Sequence, residues 1–311
     1  MTYTVLLSAV LVVVSCGCTI TSVLPERIGF SDRCRLAGAI RCFGFDSSSE
    51  TDPHIHPPWG QTTKRGAVVH DVKASGSGSL RFEIPSNSGS DTSGSFWLNF
   101  SDDLSIQFGE QEEFYVQWRQ RFSPEFVGKA YAGGGGWKQI IIGEGDRQGF
   151  TANSCTQLEL VVNNPYHLGY PAMYHSCGGK DGQFEGLFAS GSISYAANEW
   201  MTFQIHVKIG TWYKNDGNYH QDSTIQLWGG REGRPSKLLI DLSPEPAMIL
   251  GLKIPGSGAG YDFANQDPLA KYGKLWMLPY NTHKDPSESH PTGYTWYDDL
   301  IISKTRIPDP Y

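Results

Sequence analysis

The run "KYGKLWMLPYNTHKD", Lys271 to Asp285, sets a lysine, a tryptophan and a tyrosine at a two-residue period. Laid out as a strand, Lys274, Trp276, Leu278 and Tyr280 share one face, and Leu275, Met277 and Pro279 share the other. A phenol near an ammonium is a proton-transfer pair, because a neighbouring cation brings the phenol's pKa toward the working pH. His175, two residues before Cys177 in "YPAMYHSCGG", is a second group able to move a proton. Arg119 and Arg121 in "EFYVQWRQRF" and Gln139 in "WKQIIIG" are donors that can hold a carboxylate. Trp137, Glu159, Asn163, Tyr174 and Trp276 supply the aromatic and polar surface that a sugar needs.

Each of these groups has a structural alternative. Tyr280 can cap a strand, and His175 can be a hydrogen-bonded structural histidine. Arg119 and Arg121 can pair with Glu110, Glu112 or Glu159 on a solvated face, and Trp137 and Trp276 can be core residues. His54 and His56 read as ordinary loop residues.

The elements that would position these groups are strands. "EFYVQWRQRF" alternates Phe114, Val116, Trp118 and Phe122 with Tyr115, Gln117, Arg119 and Arg121. "QLELVVNN", "WMTFQIHVKIGTW", "STIQLWGG" and "YTWYDDLIIS" continue the pattern, and a short strand falls at Leu80 to Ile84 between Gly/Ser loops. Antiparallel strands with one apolar and one polar face predict an all-β, two-sheet antiparallel β-sandwich whose polar faces line a groove.

Composition agrees with that class: 311 residues, 39% hydrophobic and 18% charged, with 36 glycines, 15 tyrosines, 15 phenylalanines and 9 tryptophans. Residues 67–311 read as one domain, preceded by a lead-in segment over 19–66 rich in Ser, Pro, Asp and His. A net charge of −7 with no Lys/Arg run argues against duplex nucleic acid as a partner. The apolar run in "MTYTVLLSAVLVVVS" is too short to span a bilayer and suits a signal peptide over residues 1–18. The following "VVSC" resembles the lipobox of bacterial lipoproteins, which implies lipidation at Cys16 and membrane contact only through that anchor.

In an oxidising compartment Cys34 pairs plausibly with Cys42, and Cys155 with Cys177. No CxxC or closely spaced Cys/His set suggests zinc, so no cofactor is expected. The pairs Asp102/Asp103 and Asp298/Asp299 are compatible with a structural calcium ion or with simple solvation.

The succession "EEFYVQWRQRFSPEF", "GGWKQIIIGEGD", "TQLELVV", "NEWMTFQIHVKIGTW", "STIQLWGG", "YGKLWMLPYN" and "YTWYDDLIIS" resembles the jelly-roll polysaccharide lyases and their concanavalin A-like relatives, over about residues 75 to 305. The resemblance implies an exported monomer that binds a polysaccharide and cleaves a uronic-acid polymer by β-elimination. Within the alginate lyase branch it implies an acid/base role for Tyr280, tuned by Lys274, since "YGKLWMLPY" supplies the Tyr-x-Lys motif through Tyr272 and Lys274. Tyr280 stands six residues after the lysine where the branch has four, and Ile141 stands where its Gln-x-His strand has the histidine; His175 is the expected replacement. Arg119 and Gln139 would hold the uronate carboxylate. A glycoside hydrolase would need two carboxylates, for which Glu144, Asp146 and Glu159 are available, but Gln148 and Gly149 stand where the laminarinase-like motif has its last Glu. The same fold also serves lectins and laminin-G-like modules, so a non-catalytic sugar-binding or structural envelope protein is the competing class.

Overall fold

The computed structural model describes residues 27–156, 158–176, 193–245, 248–249, 252–253 and 258–310. Helix α1 (Phe30–Ala37) leads to β1 (Arg41–Phe43), the short helix α2 (Ser48–Thr51), β2 (Ile55–His56), β3 (Gly66–Val69), β4 (Ser79–Ile84) and β5 (Ser95–Asn99). There follow β6 (Glu113–Phe122), the turn-length helix α3 (Pro124–Val127), β7 (Trp137–Glu144), β8 (Glu159–Asn164) and β9 (Ala172–Ser176). The chain continues through β10 (Trp200–Lys208), β11 (Thr224–Gly230), β12 (Lys237–Leu242), β13 (Met248–Ile249) and β14 (Leu252–Lys253). It closes with β15 (Tyr272–Met277) and β16 (Gly293–Ser303).

Two large antiparallel sheets result, with β13 and β14 forming a separate two-stranded pair. The first has eight strands in the order β12-β11-β10-β6-β16-β4-β3, with β1 also on β16; the second has six, β2-β5-β15-β7-β8-β9. The apolar faces meet between them. Leu80, Phe82, Phe114, Val116, Trp118, Phe203 and Ile205 from the first sheet pack on Phe96, Leu98, Ile140, Ile142, Leu160, Val162, Leu275 and Met277 from the second. Each such side chain contributes about 1.5–3 kcal/mol by leaving water. This is the two-sheet sandwich expected from the alternation.

The lead-in segment differs from its sequence reading, because residues 27–66 are built into the sandwich. Strand β1 pairs with β16 and β2 with β5, while Phe45 and Ile55 join the core. Their aromatic and branched side chains have apolar surface to bury, which the polar composition around them hides. Helix α1 covers part of the outer face of the eight-stranded sheet, where Ala37 meets Ile301 and Ile307 and the buried Arg33 donates to Gln117 and Asp299. The Cys34–Cys42 disulfide fastens α1 to β1. Cys155 is disulfide-bonded as well, and Cys177 lies outside the described residues, as do Cys16 and the signal segment.

The turn before β7 is held by close backbone approach. A Cβ at Gly136 would come within 1.6 Å of the Asn164 carbonyl oxygen, while the Gly136 carbonyl accepts from the Thr282 amide at 2.8 Å. Gly136→Ala therefore forces the starts of β7 and of the segment after β8 apart. It should lower stability by about 1–3 kcal/mol, read as a reduced denaturant midpoint at unchanged slope. An unshifted midpoint would mean that this turn carries no such constraint.

Candidate active site on the outward face of the six-stranded sheet

Register places a row of side chains straight across the strands on the face turned away from the core. Trp97 of β5 pairs with Trp276 of β15, Trp276 with Ile141 of β7, Ile141 with Val161 of β8, and Val161 with Tyr174 of β9. These side chains, with Leu278, form an apolar cluster separate from the core. His56 extends it at the β2 edge, its ring stacked on Trp97 with centroids 4.3 Å apart.

Above this floor stands Lys138. Its ammonium lies 5.7 Å from the ring centre of Tyr174, 5.3 Å from that of Tyr280 and 3.6 Å from a carboxylate oxygen of Glu159. It is hydrogen-bonded to the Tyr174 side chain as well. Two backbone features hold the group together. The Lys138 amide donates to the Tyr280 carbonyl at 2.9 Å, which continues the β15–β7 pairing past the end of β15, and Lys138 faces Asn163 in register. Burial works against the ammonium, but Tyr174, Glu159 and Tyr280 outweigh it and raise the Lys138 pKa above its ordinary value. Burial likewise pushes the Tyr174 phenol up, opposed by Lys138. At neutral pH the cluster therefore holds a charged lysine and a protonated Tyr174.

Lys138 was not among the residues singled out from sequence. Strict alternation along "WKQIIIG" sets Trp137, Gln139 and Ile141 on one face and Lys138 with Ile140 and Ile142 on the other. A register shift between Lys138 and Ile140 changes this. Trp137, Gln139, Ile140 and Ile142 all turn inward, leaving Lys138 and Ile141 outward. The one available signal was a lysine in an apolar strand, which has to point away from the core unless it is paired.

The sequence candidates divide accordingly. Tyr280, Glu159, Asn163, Tyr174, Lys274 and Trp276 share the outward face of the six-stranded sheet. Gln139, Trp137 and His175 do not: each lies between the sheets. The Gln139 amide donates to Gln120 at 2.8 Å and its oxygen accepts from the Tyr195 hydroxyl at 2.5 Å. Trp137 packs on Phe122, Phe126 and Tyr195. His175 shares its face with the core residue Met173, hydrogen-bonds the Tyr261 hydroxyl at 3.1 Å and packs on Phe263. Arg119 and Arg121 lie on the far side of the molecule, on the outer face of the eight-stranded sheet. There Arg119 sits 3.8 Å from Asp299 and 3.6 Å from Glu232. Trp276 is on the expected face but only 5% exposed, so it is floor and not a free platform. Tyr272 turns into the core at a second register shift, at Gly273.

Lys274 occupies the opposite end of this face from Tyr280. It is fully buried and donates to Asp146 and to the Ala152 carbonyl, while Asn99 donates to Asp146 at 2.9 Å. Its ammonium lies over the Trp97 ring at 4.2 Å, far along β15 from the tyrosine it was expected to tune. Of the other carboxylates available to a hydrolase, Glu144 is buried and faces Arg147 at 3.7 Å. The acidic pairs considered for calcium are engaged by protein groups: Asp102 by Arg41, Asp103 by Ser105, Asp298 by the amides of Ala74 and Ser75, and Asp299 by Arg33. Among the described residues no group of three or more His, Cys, Asp or Glu could hold a metal ion.

No family model matches the sequence, and no curated protein matches it. Among solved structures, the marine PL-14 alginate lyase from Aplysia kurodai superposes with a TM-score of 0.55 at 13% identity, over 87% of this chain and 99% of that one. An alginate lyase from a Chlorella virus gives 0.49 at 13% identity over 86% and 100% of the two chains. An endo-β-1,4-glucuronan lyase from the fungus Trichoderma reesei gives 0.45 at 11% over 81% and 91%. With its two antiparallel sheets and the likeness to the Aplysia enzyme, the chain has the jelly-roll fold of these polysaccharide lyases.

Proposed function

We propose that the protein is an exported polysaccharide lyase that cleaves a uronic-acid-containing polymer by β-elimination at the cluster of Lys138, Tyr174 and Tyr280. One observation carries this reading: a single ammonium flanked by two phenols on an outward sheet face. The elimination breaks the C5–H and C4–O bonds of the uronate and leaves a C4=C5 double bond. It needs a cation for the carboxylate, a base for the C5 proton and an acid for the leaving oxygen. Lys138, held charged by its neighbours, faces the carboxylate and stabilises the negative charge that spreads onto it as the proton leaves. Tyr174 rests as a phenol and so donates to the leaving oxygen. Tyr280, across Lys138, takes the C5 proton as a phenolate, its own proton having passed to solvent and its charge being stabilised by the ammonium 5.3 Å from its ring centre. Glu159 braces the lysine from below.

The Aplysia relative in fold is an alginate lyase, which supports a polyuronate as the substrate class. The Cys34–Cys42 disulfide and the apolar N-terminal run support export.

Ultraviolet absorbance of the unsaturated uronide, followed with alginate, glucuronan and other uronic-acid polymers, tests the reaction. A rise is expected on at least one; flat traces on all of them with binding retained would assign the protein to the sugar-binding modules of this fold. Tyr280→Phe and Lys138→Met should each lower kcat by roughly 10²–10⁴-fold, with the unfolding midpoint unchanged in Tyr280→Phe and lowered in Lys138→Met, which removes the partner of the buried Glu159 carboxylate. Full activity in either variant removes that residue from the chemistry.

The pH response has a defined sign. Lys138 and Tyr174 are both pushed above their ordinary values, so both keep their protons through neutrality. Loss of either proton can depress kcat/KM only above about pH 10. A fall centred near neutrality would exclude them as the charged and proton-donating groups. In Lys138→Met the cation opposing burial is gone, so the Tyr174 phenol should titrate still higher; an unchanged tyrosinate absorbance titration would mean that the two do not interact.

A further inference from the structure

Among the described residues the two most exposed large aromatic side chains stand at positions that bracket the cluster. Trp59 is 91% exposed and Tyr166 is 69% exposed. Single exposed aromatics need no explanation by themselves. These two differ in where they stand and in how they are held.

Trp59 follows β2, at one edge of the six-stranded sheet, and Tyr166 follows β8, near the other. Both lie at the strand ends that carry Lys138 and Tyr280. The Trp59 amide donates to Asp91 at 3.2 Å, and the Asp91 carboxyl, raised by burial, lies within the electrostatic reach of Lys138. The neighbouring Ser90 carbonyl accepts from Asn281, next to Tyr280, at 3.0 Å. On the other flank, the Tyr166 backbone abuts Gly136, two residues before Lys138.

Both rings sit on stiffened turns. Trp59 occupies the corner of a turn closed by the Gln61 amide on the Pro58 carbonyl at 3.0 Å, with Gly60 at φ +73° as the third residue, and two prolines precede it. Tyr166 adopts φ +50°, ψ +27°, a left-handed conformation that a bulky residue rarely takes, in a turn closed by Leu168 on Pro165 at 3.0 Å. Strain of this kind persists where the surroundings impose it, and it marks sites of function. An aromatic face presented to water from a fixed backbone is placed to stack on the apolar face of a sugar ring, with only two side-chain torsions to order on binding.

We infer that Trp59 and Tyr166 are stacking platforms for sugar rings on the two sides of the Lys138–Tyr280 centre, so that a polyuronate crosses the strands and is held by its interior. The inference rests on the proposed reaction for its centre, but the platforms bind whether or not turnover occurs. The covered Trp276 cannot serve this purpose.

The test compares Trp59→Ala, Tyr166→Ala and the double variant with wild type on alginate and glucuronan, and on the shortest oligosaccharide the wild type cleaves. Each single variant should raise KM on the polymer about tenfold, with kcat unchanged and the oligosaccharide KM unmoved. Trp59→Phe should restore part of the loss, since a ring remains. Binding of the same polymers is measured by calorimetry in the Tyr280→Phe background. If the wild type cleaves a polymer and all variants keep its KM, the platforms are overturned while the elimination stands. If nothing is cleaved but polymer binds and Trp59→Ala or Tyr166→Ala weakens it, the elimination fails and the platforms stand. A wild-type protein that neither binds nor cleaves either polymer overturns both.

Discussion

A primary amide buried between two apolar sheets has to be hydrogen-bonded, because an unpaired one costs about 1–3 kcal/mol. Gln139 meets this requirement by leaving the regular register of β7. It bonds Gln120 and Tyr195 through its side chain, and its carbonyl accepts from Tyr297 at 2.7 Å. Gln120 in turn accepts from the Trp118 indole at 3.2 Å and donates to Thr295 at 2.9 Å, so the polar thread through the core is paired along its length. The extra residue has a consequence for everything before it. One inserted position moves the preceding side chains to the opposite face. Trp137 enters the core and Lys138 leaves it. The lysine that gathers Tyr174, Tyr280 and Glu159 is on the outside because a glutamine next to it is on the inside.

The outward face carries two lysines that differ in availability. Lys274 is enclosed: Asp146 and the Ala152 carbonyl take its protons, Trp97 and Trp276 flank it, and burial lowers its pKa. An ammonium so engaged fastens the loop after β7 to the sheet and has little left for a ligand. The Lys138 side chain is 22% accessible, its nearest carboxylate oxygen is 3.6 Å away, and its remaining neighbours are phenols. An anion entering from solvent can compete for it. The charge–ring spacings and the partial exposure, not the presence of a lysine as such, separate the two ends of the face.

Much of the fold was legible because burial follows a two-residue period wherever strands are regular. Strands β6, β8, β10, β11 and β16 fall where alternation predicts them, and Glu159, Asn163 and Tyr280 face outward as read. The reading failed where regularity does. The shifts at Gln139 in β7 and at Gly273 in β15 exchange faces locally, so Gln139 and Trp137 were read as outward and Lys138 was passed over, and Tyr272 was tied to Lys274 although it points into the core. A bulge is a tertiary bargain between an amide and its distant partners, and nothing in a run of seven letters announces it. Arg119 and His175 depart for different reasons. Alternation says which residues share a face but not which sheet the strand joins, and β6 belongs to the eight-stranded sheet. Strand β9 does belong to the six-stranded sheet, but there Tyr174 takes the outward face and His175 turns inward beside Met173. The short strands β1 and β2 escaped notice because two or three residues carry no period.

Charge raises the remaining question of how a chain of net charge −7 would hold a polyanion. A negative overall field slows the approach of an anionic polymer. At physiological salt that field decays over about 8 Å, so distant carboxylates contribute little once the polymer is at the surface. What acts then is the local arrangement, and at this face it consists of one raised-pKa ammonium, hydroxyl-bearing rings around it and aromatic side chains on both flanks. Glu159 and Asp91 lower the net local charge, so long-range attraction cannot be the main source of affinity. Affinity has to come from short-range contact, and a single cation can neutralise one uronate at a time. That division suits the proposed elimination, in which the carboxylate being activated would take the cation and the rest of the polymer would be held by ring faces that are indifferent to its charge.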